Sequence, residues 1–340
     1  MRKFAIVAIV AAGMVGCSTP PVAPDITPLL PTATLEIRVV NEGMQGLFPY
    51  QSTHKSYLRA NMRRDDVTVK GTGTVTKYVV GTTTETRIWN LERNLLWVLD
   101  PDKKEYRECP LTGCAAAVKP AKQDEQAPPL YESGCSMKIT DSSITLTPTG
   151  KKRTISGFNT DEYSLEWKVT LRDVIARKST STLSASIWTT SVMPSLRQVL
   201  GVEQAYARAF AGKVPGADAV QLLPPEITQM IGAGLAGALS PSDRVTFANA
   251  GRQFDLVKGH PISTRVEWKL RGEACAPKAV PTVGGLAAIP GVFSKKKKEE
   301  AAAALANKPI LSFLIEVNMI KMDLARDSMF GVPQDYKLTK

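Results

Sequence analysis

The stretch Tyr163-Ser-Leu165-Glu-Trp167-Lys-Val169-Thr-Leu171-Arg172 puts an apolar side chain at every odd position and a polar one at every even position. Ten residues of strict alternation have the period of a strand with one dry and one wet face. Val266, Trp268 and Leu270 alternate with Arg265, Glu267 and Lys269 in the same way, and Leu311, Phe313, Ile315, Val317 and Met319 form a third run. Leu35–Val40, Tyr57–Met62, Val67–Lys70, Val75–Val80, Thr86–Asn90, Leu95–Leu99 and Leu183–Thr189 add further Thr- and Val-rich candidates, separated by Gly71, Gly73, Gly81, Asp100-Pro101-Asp102 and Pro148-Thr149-Gly150. Successive one-sided strands predict a large antiparallel sheet that needs cover on its apolar face.

That cover is expected from 194–252. Leu196, Val199, Leu200, Val202, Tyr206, Ala209 and Phe210 follow the helical period, with Ser195 as the expected cap. Pro224-Pro225-Glu226 and Ser240-Pro241 open further segments, so two or three helices are predicted. Residues 276–308 carry Lys295-Lys296-Lys297-Lys298 with no apolar period and read as a flexible loop.

The N-terminus speaks about compartment. Arg2 and Lys3 precede the apolar run Phe4–Val15, too short to span a bilayer but suited to a secretory leader. Met14-Val15-Gly16-Cys17 resembles the bacterial lipobox, which implies removal of residues 1–16 and lipidation of Cys17. Ser18 after the cysteine implies outer-membrane sorting in that family pattern. Residues 17–31 hold five prolines and read as an extended tether of roughly 40 Å on the polyproline rise. Residues 32–340 are then expected to form one domain, lipid-anchored on the periplasmic face of the outer membrane.

Four cysteines remain: Cys109, Cys114, Cys135 and Cys275. An even number in an oxidising compartment predicts disulfides, Cys109 with Cys114 closing a small loop and Cys135 with Cys275 as a long-range staple. The Cys-x-x-Cys spacing of zinc and redox sites is missing. Two histidines, His54 and His260, stand apart in the sequence, and no nucleophile elbow or metal-binding helix motif is spelled. We therefore expect no catalytic residues, no metal and no cofactor. Gly232-Ala-Gly234-Leu-Ala-Gly237 matches the dinucleotide spacing but follows no strand, and reads as a small-residue helix instead.

The formal charge of +11 includes Arg2 and Lys3 of the leader and the four lysines at 295–298, so it is weak support for nucleic-acid binding, which we do not expect. All five tryptophans fall in strand candidates. Trp167, Trp188 and Trp268 are the expected walls of a cavity for an apolar ligand, a lipid or acyl chain. The alternative is a structural or interaction lipoprotein with a filled core, meeting an envelope protein or an anionic polymer.

Three stretches also carry a resemblance: Ile88-Trp89-Asn90-Leu91 through Tyr106; Arg153-Thr154-Ile155-Ser156-Gly157-Phe158 through Tyr163 with Ala185–Thr189; and Met329-Phe330-Gly331-Val332-Pro333-Gln334-Asp335-Tyr336-Lys337. Together they resemble an exported bacterial family of unknown function allied to the outer-membrane lipoprotein-carrier fold. That resemblance implies an α+β fold: a curled antiparallel sheet, an open half-barrel, with helices on its concave face and an acyl-binding space between.

Overall fold

The computed structural model describes residues 25–44, 49–73, 76–79, 81–114, 137–214, 256–274 and 309–339. Twelve strands are defined: β1 (Leu29–Met44), β2 (Tyr50–Leu58), β3 (Met62–Gly71), β4 (Thr82–Asn90), β5 (Leu95–Asp100), β6 (Glu105–Pro110), β7 (Met137–Ile155), β8 (Phe158–Asp173), β9 (Lys178–Thr190), β10 (His260–Gly272), β11 (Leu311–Arg326) and β12 (Lys337–Leu338). They form one open sheet in the order β12-β6-β5-β4-β3-β2-β1-β11-β10-β9-β8-β7. All pairs are antiparallel except β12 with β6. A helical turn, α1 (Thr76–Val79), and one long helix, α2 (Pro194–Lys213), complete the set with a 3₁₀ turn at Asp327–Phe330.

This corrects the expected architecture. The half-barrel with two or three covering helices is replaced by a much larger open sheet, and α2 is the one helix longer than a single turn among the described residues. The helical period of the sequence is sustained over α2, while the strands run far beyond the alternation that revealed them. β7 is nineteen residues long and was not legible as a strand, because a register shift between Ile139 and Asp141 breaks the two-residue period of Met137, Ile139, Ile144 and Leu146. Pro148-Thr149-Gly150, expected as a turn, lies inside β7 at a register shift, with Gly150 at φ 75°. Proline and a bulge are tolerated there because β7 is an edge strand. The segments expected from Pro224 and Ser240, and the lysine loop 276–308, lie outside the described residues.

Smaller differences have local causes. Val75–Val80 was expected to be extended, but Thr76–Val79 turns helical because the Thr76 hydroxyl donates to Pro49 O at 3.0 Å and accepts from Gly73 N at 2.9 Å. Gly71 permits that turn: a Cβ there would lie 2.3 Å from Thr76 O. Tyr57–Met62 spans a β2–β3 connection, not a strand. Met193, not Ser195, precedes the first turn of α2, and Pro194 sits at its start without a side-chain cap. β1 begins at Leu29, inside the expected tether. Pro31 is accommodated because β1 pairs only with β11 at that point, β2 joining at Ala33.

The register fixes which side chains share a face. Ala33, Leu35, Leu58, Val39, Leu165, Ala185, Val266, Trp268 and Phe313 point to one side, where they form two apolar clusters. Helix α2 lies on this side over β1, β2 and β11, inserting Val199 and Tyr206 against Ala33, Leu35 and Leu58. On the other side Trp188 and Ile155 are buried towards the β7–β9 edge, and the larger cover among the described residues lies over β3–β6. There the C-terminal segment lays Phe330, Met329, Val332 and Tyr336 on Ile88, Trp97, Leu99 and Tyr106 before β12 joins β6. The two halves of the sheet are thus stabilised on opposite faces. Burial of these side chains contributes about 1.5–3 kcal/mol each.

Candidate functional site

The three tryptophans expected to wall a cavity do not converge. Trp268 pairs across β10–β9 with Leu183, which pairs across β9–β8 with Trp167, so these two rings share the apolar face with Leu183 between them. Trp268 is buried and donates from Nε1 to Ser181 Oγ at 2.8 Å. Trp167 is half-buried and donates to Ser142 Oγ at 3.0 Å. Trp188 alternates to the opposite face, where the Arg153 guanidinium stacks 4.0 Å from its ring centroid. It belongs to a separate cluster with Ile155, Ile262 and Val317.

Beneath α2, where an acyl chain was expected, protein side chains fill the interface. Val199 and Ala33 are 0% exposed, Leu58 1% and Leu196 2%. At the edge of this contact the sequence reading missed a charged group. Arg63 donates from Nε to both Asp65 carboxylate oxygens at 2.9 Å and lies over Trp89 at 5.7 Å. Burial pushes the Glu203 carboxyl above its ordinary value, with the Arg63 charge opposing the rise, and burial likewise pushes the Tyr206 phenol up. This arrangement orients Arg63 on the helix-facing side of the sheet. Glu203 lies between Val202 and Gln204 on α2, and its one-residue polar signal is indistinguishable from ordinary helix solvation.

An open groove of about 520 Å³ lies on the other side, lined among others by Leu29, Tyr57, Arg64, Asp66, Arg326 and Ser328. Its polar groups are engaged with one another. Arg64 donates to Asp66 at 3.0 Å and to Met329 O at 2.9 Å, and the Thr86 hydroxyl donates to Asp66 at 2.7 Å. The Asp25 carboxylate accepts from the Ser328 hydroxyl, the Thr27 hydroxyl and Thr27 N, which holds it down at about 2. Next to it the buried Arg59 donates to Thr32 Oγ1 (3.0 Å), Asp327 Oδ1 (2.5 Å) and Ala325 O (2.9 Å), with Phe330 stacked 4.4 Å below. These contacts clasp the segment entering β1 to the segment leaving β11.

Away from the clasp and from Trp188, the middle rows of β8–β10 on the face opposite the apolar cluster are polar. Lys168, Thr182 and Lys269 form one cross-strand row, and Glu166, Ser184 and Glu267 the next. Lys168 pairs with Glu166 at 2.7 Å and Lys269 with Glu267 at 3.2 Å, along each strand. Cation and anion bands therefore alternate on a broad solvent-facing surface.

Cys109 and Cys114 are joined, as expected, with Cα atoms 4.8 Å apart. The loop they close buries Leu111 against the cluster beneath α2. Cys17, Cys135 and Cys275 lie outside the described residues, but Met137 and Ala274, which flank the latter two, share one apolar cluster. His260 begins β10, and burial lowers its pKa; His54 bonds Ser52. Among the described residues no group of three or more His, Cys, Asp or Glu could hold a metal, and no helix is long and apolar enough to cross a membrane. Comparison of the chain with family models, with curated proteins and with solved structures finds no match.

Proposed function

We propose that the chain is an exported, non-enzymatic lipoprotein of the bacterial envelope, anchored by lipid on Cys17 at the periplasmic face of the outer membrane, that works by presenting a surface. The observation carrying this reading is the filled contact under α2: Val199, Ala33 and Leu58 leave no exposed area where a ligand would sit. The banded polar face of β8–β10 is then the natural platform for an envelope protein or an anionic polymer. The clasp at Arg59 and Asp25 gives a tether arriving from Cys17 a firm attachment to the sheet.

A second reading, binding of a lipid or acyl chain, is favoured by Trp167 and Trp268 standing on one face across Leu183. The two are separated by extracting the purified protein for lipid and titrating it with a fluorescent fatty acid. The surface reading expects no stoichiometric lipid and no saturable uptake; either would overturn it. It further expects salt to weaken envelope association of the non-lipidated chain, and salt-insensitive association contradicts it.

A further inference from the structure

We propose that the β8–β9 hairpin tip, with exposed Val174 and Ile175 beside a cross-strand row of Lys138, Arg172 and Lys178, docks onto an anionic phospholipid surface. Val174 is 80% exposed and Ile175 68%. Two adjacent β-branched apolar side chains at the end of a long hairpin are unfavourable in water, and nothing about a turn requires them. Polar or glycine residues serve turns better.

The tip is held rigidly. The buried Asp173 carboxylate accepts from Ile175 N at 3.1 Å and Arg177 N at 2.9 Å, and its second oxygen accepts from Arg177 Nε at 2.6 Å. Backbone bonds from Ala176 N to Asp173 O and from Asp173 N to Arg177 O close the loop. Ala176 sits at φ 69°, a left-handed conformation that a side chain resists. Strain and a fully engaged carboxylate together keep Val174 and Ile175 projecting outward, so little ordering remains to be done on contact.

The surroundings select the partner. Lys138 stands opposite Arg172 across β7–β8, and Arg172 stands opposite Lys178 across β8–β9, all three exposed. Arg271 adds positive charge nearby, the Arg177 charge being balanced by Asp173, while among the described residues Asp141 and Glu273 are the exposed acids of this end. Cations outnumber them. An apolar point beside a row of cations matches an interface where acyl chains lie just below anionic headgroups. A protein pocket would accept Val174 and Ile175 but has no need of the surrounding cations; a soluble anion would use the cations but leave the apolar pair unexplained. The inference does not depend on Cys17, because the tip belongs to the folded sheet.

The test is co-sedimentation with vesicles of phosphatidylcholine alone and of phosphatidylcholine with phosphatidylglycerol in a seven-to-three ratio. Removal of residues 1–17 eliminates leader and anchor and takes away none of the described fold, which starts at Asp25. This chain is expected to bind the anionic vesicles, with affinity falling as salt rises. V174S/I175S, altering only exposed side chains, is expected to lower affinity about tenfold or more. R172Q/K178Q is expected to lower it comparably and to flatten the salt dependence. Circular dichroism spectra matching the parent confirm that both variants are folded. Absence of binding by the parent, or both variants binding within about twofold of it, overturns the proposal. Anchorage through Cys17 is read separately by membrane fractionation of the full chain, so either result stands without the other.

Discussion

Replacing Leu58 by alanine probes the contact on which the functional reading turns. Leu58 is 1% exposed and lies between β2 and α2, in the cluster that contains Ala33, Leu35, Val199 and Tyr206. The substitution deletes three carbons, a loss of about 2.4 kcal/mol at roughly 0.8 kcal/mol per buried methylene. Ala33 lies opposite Leu58 in the sheet and Val199 is fixed within the helix, so neighbours cannot close the space. The residual cavity adds to the loss, bringing the expected total to about 3–4 kcal/mol. The assay is urea unfolding of the full chain with disulfides intact, followed by circular dichroism, comparing midpoints at unchanged slope. A fall of less than about 1 kcal/mol would show that the space beneath α2 is loosely filled, and would refute the packed interface. The same variant should gain uptake of a small apolar probe that the parent lacks.

Other outcomes follow from the clasp and the cysteines. Arg59→Met removes three hydrogen bonds from a buried guanidinium and leaves Asp327 without its cation; a loss of about 3 kcal/mol is expected in the same unfolding assay, and Asp327→Asn should lose less. Reduction of Cys109–Cys114 alone should lower stability by about 2 kcal/mol on the loop-closure argument, measured by unfolding with and without reductant. Asp25 has its carboxyl held at about 2 against an ordinary 3.8, so its contribution is complete above about pH 4 and is lost as pH falls towards 2. Amide exchange at Thr27 should therefore accelerate over that window and become pH-independent in Asp25→Asn, after correction for intrinsic rates. Non-reducing peptide mapping should recover Cys135 linked to Cys275; both as free thiols would contradict the staple.

Much of the sheet was legible because its core strands face solvent on one side. Tyr163–Arg172 and Arg265–Leu270 show the two-residue period without interruption, and both are strands. β7 stayed hidden because its apolar positions change parity, Met137 and Ile139 before the register shift at Asp141 and Ile144 and Leu146 after it, and its second half is polar where it lies at the sheet edge. The covering layer was overestimated from helical period alone. Its described part, α2, buries Leu196, Val199 and Tyr206 as the pattern indicated. The cover on the opposite face comes from the C-terminal segment, whose Phe330 and Tyr336 show no period at all. Sequence alone placed Trp167, Trp188 and Trp268 in strands, but parity within β9 separates Trp188 from the other two, and that depends on pairing register. Arg59 was invisible for a related reason, since its partners Ala325 and Asp327 are brought beside it only by the β1–β11 pairing.

The central claim, an anchored protein with a filled core, is tested most directly by native mass spectrometry of the protein extracted from membranes in mild detergent. The account predicts a chain beginning at Cys17, carrying covalent acyl groups on that residue and holding no further lipid after detergent exchange. A stoichiometric, non-covalently retained lipid, or a chain with no modification at Cys17, would contradict it.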